Sequence, residues 1–314
     1  MMQVSAEMIE SLWEYNEFIP QLKRAFQSDI IVPPRQHYDY ESGQGSTKST
    51  LLIMPAWSNK EYVGIKMVTV SPHNGELDLP SIQGNYTLIE AKNGSVRAQI
   101  DAKKLTVKRT AATSALASSY LSKVNSKTLL VVGTGALCPE LIKAHCAVRP
   151  IEHVFIWGRS FEKACTLAKE LKNKDYRITA IEPLEEGVSQ VDIISVATLS
   201  SEPLVFGKWL QPGQHLDLVG SYRPDMREAD DECLMKASIH IDTESALKES
   251  GDLAIPLAKK VISKTDILSD LFELTRTEAT KRISDDEITL FKSVGHALED
   301  LSAATYLINR IENE

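Results

Sequence analysis

The sequence predicts an α/β protein: a doubly wound parallel sheet together with a discontinuous α+β domain. Three observations carry this. First, short apolar runs rich in β-branched residues alternate with helical stretches between about residues 128 and 243. The runs are TLLVVG at 128–133, HVFIWG at 153–158, DIISVAT at 192–198, HLDLVGS at 215–221 and SIHIDT at 238–243. Near-continuous apolar runs, without strict alternation, mark strands covered on both faces, and strand–helix repetition implies βαβ units. Second, residues 1–120 hold extended segments punctuated by turns, including an Asn93-Gly94 hairpin signal. Third, Ser284-Asp285-Asp286-Glu287 reads as a capping box. It precedes an amphipathic stripe of Ile288, Phe291, Val294, Leu298 and Leu301. A long helix leaving a parallel-sheet domain returns the chain to the first one.

In chain order, a helix is expected over Ala6 to Gln27, then the strand-like segments STLLIMPAW, EYVGIKMVTV, GNYTLIEAKNG and SVRAQID. An alanine-rich helix follows over Lys108 to Ser122, and the polar stretch Ser122 to Lys127 is the expected junction. Helices are expected over Ala136 to Val148 and Ser160 to Lys172, between the first three parallel strands. The expected division is 1–120 with 285–314 against 121–284.

The chain has 314 residues, 43% hydrophobic and 25% charged, with a formal net charge of −8. That length is ample for two cores. The charge gives no basic field to attract nucleic acid or an anionic membrane surface. The opening MMQVSAEMIESLWEY has carboxylates where a secretory signal would be basic and then apolar, and no stretch approaches the ~18 apolar residues of a membrane span. Cys138, Cys146, Cys165 and Cys233 form no CxxC pair and read as thiols rather than a disulfide frame. A cytoplasmic protein is expected.

The clearest local chemistry lies at Gly133-Thr134-Gly135-Ala136-Leu137, after an apolar strand and at the opening of a helix. Gly133 makes the tight turn, Gly135 lets the backbone approach a pyrophosphate, and the helix N-terminus meets its negative charge. Cys138 takes the third motif position, usually Gly or Ala. The next strand ends at Gly158-Arg159-Ser160, where an NAD-preferring site would carry a carboxylate for the ribose 2′-hydroxyl. An arginine there pairs with a 2′-phosphate, so the expected coenzyme is NADPH, with NADH the weaker alternative. The competing reading of Arg159 is a solvated residue at a helix start.

Three cations stand out in the first half. Lys66 lies inside an otherwise apolar strand, on one face with Tyr62, Gly64 and Val68, and either reaches solvent or points into a cleft. Arg35 follows two prolines, and Arg109 opens the alanine-rich helix. No GxSxG elbow occurs. His37, His73, His145, His153, His215, His240 and His296 show no metal-ligand spacing and read as packing or surface residues.

The sequence resembles the ornithine cyclodeaminase/mu-crystallin family across nearly its whole length. The matching stretches are VPPR at 32–35, GIKMVTVSPHN at 64–74, LTVKRTAATSALA at 105–117, VVGTGA at 131–136, VFIWGRS at 154–160, VATLSSEPLV at 196–205 and ITLFKSVGHALEDLSAA at 288–304. The resemblance implies a Rossmann domain and a substrate domain whose sheet joins a twin copy, giving a homodimer. It assigns Arg35, Lys66 and Arg109 to substrate binding, with the arginines as carboxylate clamps; Lys66 is in addition the expected catalytic residue, positioning or supplying the imine proton directly or through water. It places Thr198 and Val219 beside the nicotinamide ribose, with Ser293 closing over it.

Within the family, the segment from Val219 to Glu228 separates activities. Ornithine cyclodeaminases carry an aspartate two residues before the proline; here Tyr222 stands there. A phenol with a pKa near ~10 is a poor base at neutral pH. The pattern resembles that of the ketimine reductases, and Asp225 is three residues past the relevant position. The implied reaction is NADPH-dependent reduction of the cyclic imino acid Δ1-pyrroline-2-carboxylate to L-proline, with Δ1-piperideine-2-carboxylate to L-pipecolate as a second substrate. Tyr222 would shape the pocket. A cyclodeaminase recycles its nicotinamide within one cycle, whereas a net reductase draws on the NADPH pool that Arg159 would select. The alternatives are ornithine cyclodeamination, alanine dehydrogenation, or a mu-crystallin-like binding protein. No nucleic-acid or membrane partner is implied.

Overall fold

The computed structural model describes residues 1–41, 48–58, 61–71, 74, 77–277 and 281–313; His73 and Pro72 of the GIKMVTVSPHN stretch lie outside them. The chain divides into two compact units, residues 1–109 with 296–314 and residues 110–295.

In the first unit, β1 (Met2–Val4) leads into α1 (Ala6–Leu12) and α2 (Tyr15–Phe26). There follow β2 (Ile30–Ile31), β3 (Gln36–Tyr40), β4 (Ser49–Ser58), β5 (Tyr62–Val70), β6 (Ile82–Glu90), β7 (Val96–Asp101) and α3 (Ala102–Leu121), inside which the unit ends. The single opening helix expected from the sequence is two helices. Trp13 and Glu14 are extended. The break lets the Trp13 ring pack 4.4 Å from Phe18 and 5.5 Å from Tyr306, centroid to centroid, while the Tyr306 hydroxyl accepts from the Glu14 amide at 3.2 Å. Burial of a large aromatic outweighs continuation of one helix. The alanine-rich helix starts at Ala102, earlier than expected, because the Asp101 carboxylate accepts from the Lys104 amide at 2.6 Å and caps it.

The sheet runs β1-β7-β6-β5-β4-β2, with β3 also on β4. β1 lies parallel to β7, and the remaining pairs are antiparallel. Gly94, with φ +74°, turns the chain between β6 and β7; the left-handed conformation there suits glycine. Register sets Lys66 opposite both Met54 and Tyr86. These three are buried, whereas Tyr38, Tyr40, Met67 and Ile82 are exposed.

The second unit holds β8 (Thr128–Val132), α4 (Leu137–Val148), β9 (His153–Trp157), α5 (Phe161–Glu170), β10 (Arg177–Ala180), α6 (Leu184–Ser189), β11 (Ile193–Val196) and β12 (His215–Leu218). It continues through α7 (Asp231–Lys236), β13 (Ser238–Ile241), α8 (Ala246–Glu249), α9 (Gly251–Ala258), β14 (Ile267–Ser269), α10 (Leu271–Thr275) and β15 (Thr289–Lys292). Its sheet order is β10-β9-β8-β11-β12-β15-β13-β14, parallel throughout. This is the doubly wound Rossmann-type sheet expected from the sequence. Strand order reverses between β8 and β11, the switch point where such sheets take ligands at their carboxyl ends. The core is apolar from Leu130 and Val132 through Ile194 and Val196 to Leu216, Leu218 and Leu290.

The helix expected from Ser284 onward is corrected. Thr289–Lys292 form β15, and α11 (Ala297–Asn313), which belongs to the first unit, begins only after Gly295 turns the chain with φ +84°. All four β15 residues are completely buried, with β12 on one side and β13 on the other. Pairing on both edges decides for the strand, although Ile288, Phe291 and Val294 also fit a helical period. The Ser284 hydroxyl does accept from the Glu287 amide, at 3.1 Å, and the Glu287 carboxylate from the Ile283 amide, at 2.7 Å. Those bonds close a turn rather than a helix. No described helix is long and apolar enough to cross a membrane.

Candidate active site

In the first unit, Lys66 on β5 and Arg109 on α3 are brought together with Asp300 and Glu299, all four buried. Lys66 Nζ lies 2.7 Å from Asp300 Oδ2 and 3.4 Å from the Thr106 hydroxyl. Arg109 donates from Nε to Asp300 Oδ1 at 3.0 Å and from Nη1 to Glu299 Oε2 at 2.6 Å. β5 directs a long cation inward, where the adjoining face of α11 supplies its carboxylates.

Burial lowers the Lys66 pKa to about 8; Asp300 opposes the shift, while Arg109 and Arg35 reinforce it. For Asp300, burial pushes upward, but Lys66 and Arg109 outweigh it and hold the carboxyl below its ordinary range. Burial would depress Arg109 too, yet Asp300 and Glu299 raise it. His296 is driven down to about 4 by burial, against the pull of Asp300 and with the help of Arg35 and Arg109, so it is neutral at pH 7. Arg35, half-buried after Pro33 and Pro34, is thus within electrostatic reach of both Lys66 and His296. Three cations face two carboxylates.

Tyr86 completes this layer. Its hydroxyl is buried with no hydrogen-bond partner among the described residues. It lies over Gly64, where an added Cβ would come within 1.8 Å of the phenol oxygen.

In the second unit, the Gly133 amide donates to Trp157 O at 2.8 Å. Gly133 has φ +127°, and a Cβ there would meet Ala197 O at 2.5 Å. Gly135 is the opposite case: a Cβ would meet nothing within 4 Å, leaving the exposed backbone before α4 open to a pyrophosphate. Ala136 is the residue before α4, and Leu137 opens it. Cys138 is packed beneath, its thiol pushed up to about 12 by burial, so a neutral side chain fills the third motif position. At the end of β9, a Cβ on Gly158 would stand 2.6 Å from Thr134 Cγ2. A carboxylate-bearing residue here would press on the Gly133–Gly135 loop. Arg159 is exposed, and the Ser160 hydroxyl caps α5 by accepting from the Lys163 amide. These residues fit a dinucleotide.

Thr198 and Val219 follow β11 and β12, and Ser293 follows β15. The Thr198 hydroxyl donates to Glu228 at 2.9 Å, the Val219 amide to Val196 O at 2.8 Å and the Ser293 amide to Leu218 O at 3.2 Å. Tyr222 is half-buried in the loop after β12. Asp225 is exposed and held by Arg223 through two hydrogen bonds of 2.9 and 2.7 Å, which lower its pKa. That leaves it no catalytic geometry. His145, a packing residue, lies buried 3.5 Å from Asp217.

Sequence reasoning passed over Glu299, Asp300, Tyr86, His296 and Glu228 as functional residues. The available signal was two adjacent carboxylates, Glu299 and Asp300, within the otherwise small and apolar first turns ALEDLSAA of a helix, since buried acids need partners.

The model of the ornithine cyclodeaminase/mu-crystallin family matches residues 1–314. An uncharacterised protein of Schizosaccharomyces pombe is 41% identical over 322 residues, covering 99% of this chain and 97% of its own. The Delta(1)-pyrroline-2-carboxylate reductase of Colwellia psychrerythraea is 35% identical over 312 residues, covering 98% of each. The structure of Thermococcus litoralis Delta(1)-pyrroline-2-carboxylate reductase in complex with NADH and L-proline matches with a TM-score of 0.92 at 32% identity, covering 100% of this chain and 98% of that one. With a parallel Rossmann-type sheet and a match over its whole length, the chain belongs to the ornithine cyclodeaminase/mu-crystallin family.

Proposed function

We propose that this protein is a ketimine reductase that converts Δ1-pyrroline-2-carboxylate to L-proline at the expense of NADPH, using NADH less well and taking Δ1-piperideine-2-carboxylate as a second substrate. The observation that carries this is the buried cluster in which Lys66 and Arg109 share Asp300, with Glu299 on Arg109 and Arg35 within electrostatic reach of Lys66. The reductases of Colwellia psychrerythraea and Thermococcus litoralis, similar over nearly their full lengths, support the same substrate class.

Arg35 and Arg109 neutralise the substrate carboxylate and fix its orientation. Lys66, with its pKa near 8, is protonated at neutral pH yet acidic enough to share a proton with the imine nitrogen. Asp300 keeps that ammonium charged and aimed. A reduced nicotinamide supplies the hydride that C2 accepts. The proton reaching nitrogen balances the addition, so the product is a neutral or protonated secondary amine. Gly133, Thr134, Gly135, Ala136 and Leu137 would hold the pyrophosphate, with Thr198, Val219 and Ser293 on the nicotinamide side. Gly158, Arg159 and Ser160 would take the 2′-phosphate, and Tyr222 would shape the substrate pocket. Preorganised charge and orientation account for most of the rate.

A homodimer is part of the same proposal. Tyr38, Tyr40, Met67 and Ile82 leave apolar surface of the first unit's sheet exposed, which a second copy would cover.

The test follows NADPH oxidation with five- and six-membered cyclic imino acids. Turnover on these substrates is the expected result. Ammonia release from L-ornithine without added reductant would point to cyclodeamination, and NADH-dependent amination of pyruvate to alanine dehydrogenation. Ligand binding without turnover would point to a binding protein.

A further inference from the structure

At the carboxyl ends of β11 and β12, the backbone amides of Thr198, Gly220 and Ser221 converge in the two loops that follow. One side chain collects them. Glu228 is completely buried. Its Oε1 accepts from the Thr198 amide at 2.7 Å and the Thr198 hydroxyl at 2.9 Å. Its Oε2 accepts from the Gly220 amide at 2.7 Å and the Ser221 amide at 3.1 Å. The loops close tightly on one another here, because a Cβ on Gly220 would stand 2.0 Å from Thr198 O and 2.4 Å from Glu228 Oε1.

The carboxylate is itself anchored. Asp252 Oδ1 accepts from the Glu228 amide at 2.7 Å and from the Ala229 amide at 3.2 Å. Lys292 Nζ lies 3.2 Å from Asp252 Oδ2 and 3.9 Å from Glu228 Oε2, and both Asp252 and Lys292 are completely buried. Such a network is expensive to bury and rigid once satisfied. In a doubly wound sheet the strands beyond the switch point receive the second mononucleotide. The Gly133–Gly135 loop has its own fixed bond to Trp157.

We infer that Glu228 is a positioning residue for the coenzyme: it ties the loops after β11 and β12 into the shape that receives the nicotinamide half of the dinucleotide. The inference rests on the nicotinamide-dependent reading above. Burial raises the Glu228 pKa to about 7, against the pull of Lys292, so its charge depends on that neighbour. Four donors converge on two acceptor atoms, and only a carboxylate can serve all of them. A carboxamide keeps one acceptor oxygen and in either orientation turns an N–H₂ against at least one backbone N–H group.

The experiment compares the parent protein with Glu228→Gln. Dissociation constants are measured for reduced dinucleotide, NADPH or NADH, whichever the parent binds more tightly. The matching ADP-ribose fragment, with or without its 2′-phosphate, is measured in parallel. Amide hydrogen exchange is read at Thr198, Gly220 and Ser221. Reduced dinucleotide is expected to weaken roughly tenfold or more while the fragment stays within about twofold, because charge-assisted bonds are lost on one side only. Protection at the three amides should fall. Equal weakening of both ligands, as a merely structural defect would give, overturns the inference, and so does unchanged dinucleotide binding. If Glu228→Gln does not fold, Asp252→Asn loosens the backbone behind an intact carboxylate and must show the same selectivity; equal or absent losses there overturn it too. A parent protein that binds neither reduced dinucleotide would instead refute the coenzyme reading, and with it this one.

Discussion

Lys66 Nζ is 2.7 Å from Asp300 Oδ2 with both side chains buried, so an ammonium on a central strand is electrically balanced by a carboxylate from the last helix. The balance is incomplete. Arg109 shares the same carboxylate, and the lysine retains a pKa near 8, below its ordinary 10.5. The pair therefore holds a proton that can be given up near neutral pH.

If Lys66 delivers that proton, kcat/KM should be level below its pKa and fall about tenfold per pH unit above about 8, as the ammonium is lost. Lys66→Met should reduce kcat by roughly two to four orders of magnitude and abolish this limb, while NADPH binding stays nearly intact. Equal loss of turnover and coenzyme binding would count against the assignment. Steady-state rates across pH, with fluorescence titration of NADPH, check it.

Asp300→Asn removes the carboxylate that both cations use. Lys66 then loses its main favourable charge, so its pKa drops further and the alkaline limb should move to lower pH. Two buried cations are left undercompensated, which costs about 3–5 kcal/mol in stability by analogy with broken buried ion pairs. Denaturant midpoints give the stability, and the pH profile gives the direction of the shift.

The parts of this architecture that were legible in the sequence are those whose cause is local. Gly133 and Gly135 between an apolar strand and a helix announce a phosphate loop because the strand, the turn and the helix start are contiguous. The same holds for the Asn93-Gly94 turn. The Lys66–Asp300 pair was invisible because its partners lie at opposite ends of the chain, and nothing in either segment specifies the other. β15 was misread for a related reason: Thr289–Lys292 become a strand only because β12 and β13 leave a place between them. Glu228 stood in plain view within the segment that separates activities, but two of its four donors belong to Thr198, in the loop after a different strand.

Arg159 is the expected determinant of coenzyme preference. Arg159→Ser should raise the KM for NADPH roughly tenfold and leave that for NADH unchanged, since one exposed charge-assisted contact to the 2′-phosphate is removed. Gly158→Asp is a stricter test. It adds a repelling carboxylate, but its Cβ would also press on Thr134 Cγ2 at 2.6 Å. NADPH use should collapse, and NADH should suffer as well because the phosphate loop is displaced. Parallel KM measurements with both coenzymes distinguish the two effects.

Gly64 and Tyr86 offer a test of the layer beneath Lys66. In Gly64→Ala the new methyl group would stand 1.8 Å from the phenol oxygen, 2.7 Å from Cζ and 3.1 Å from Leu301 Cδ1. Tyr86 is 1% exposed, so its ring cannot swing out to solvent. Overpacking of this kind costs about 1–3 kcal/mol. Tyr86→Phe alone should be near neutral, because its buried hydroxyl has no hydrogen-bond partner among the described residues and its removal leaves no group orphaned. Combined with Gly64→Ala it should recover part of the loss, though not all, since the contact at Cζ persists. A double-mutant cycle from chemical denaturation measures that coupling. Lys66 lies two residues along the same strand face, so the strand shift forced by Gly64→Ala should also lower kcat, and Tyr86→Phe should restore kcat in proportion to stability.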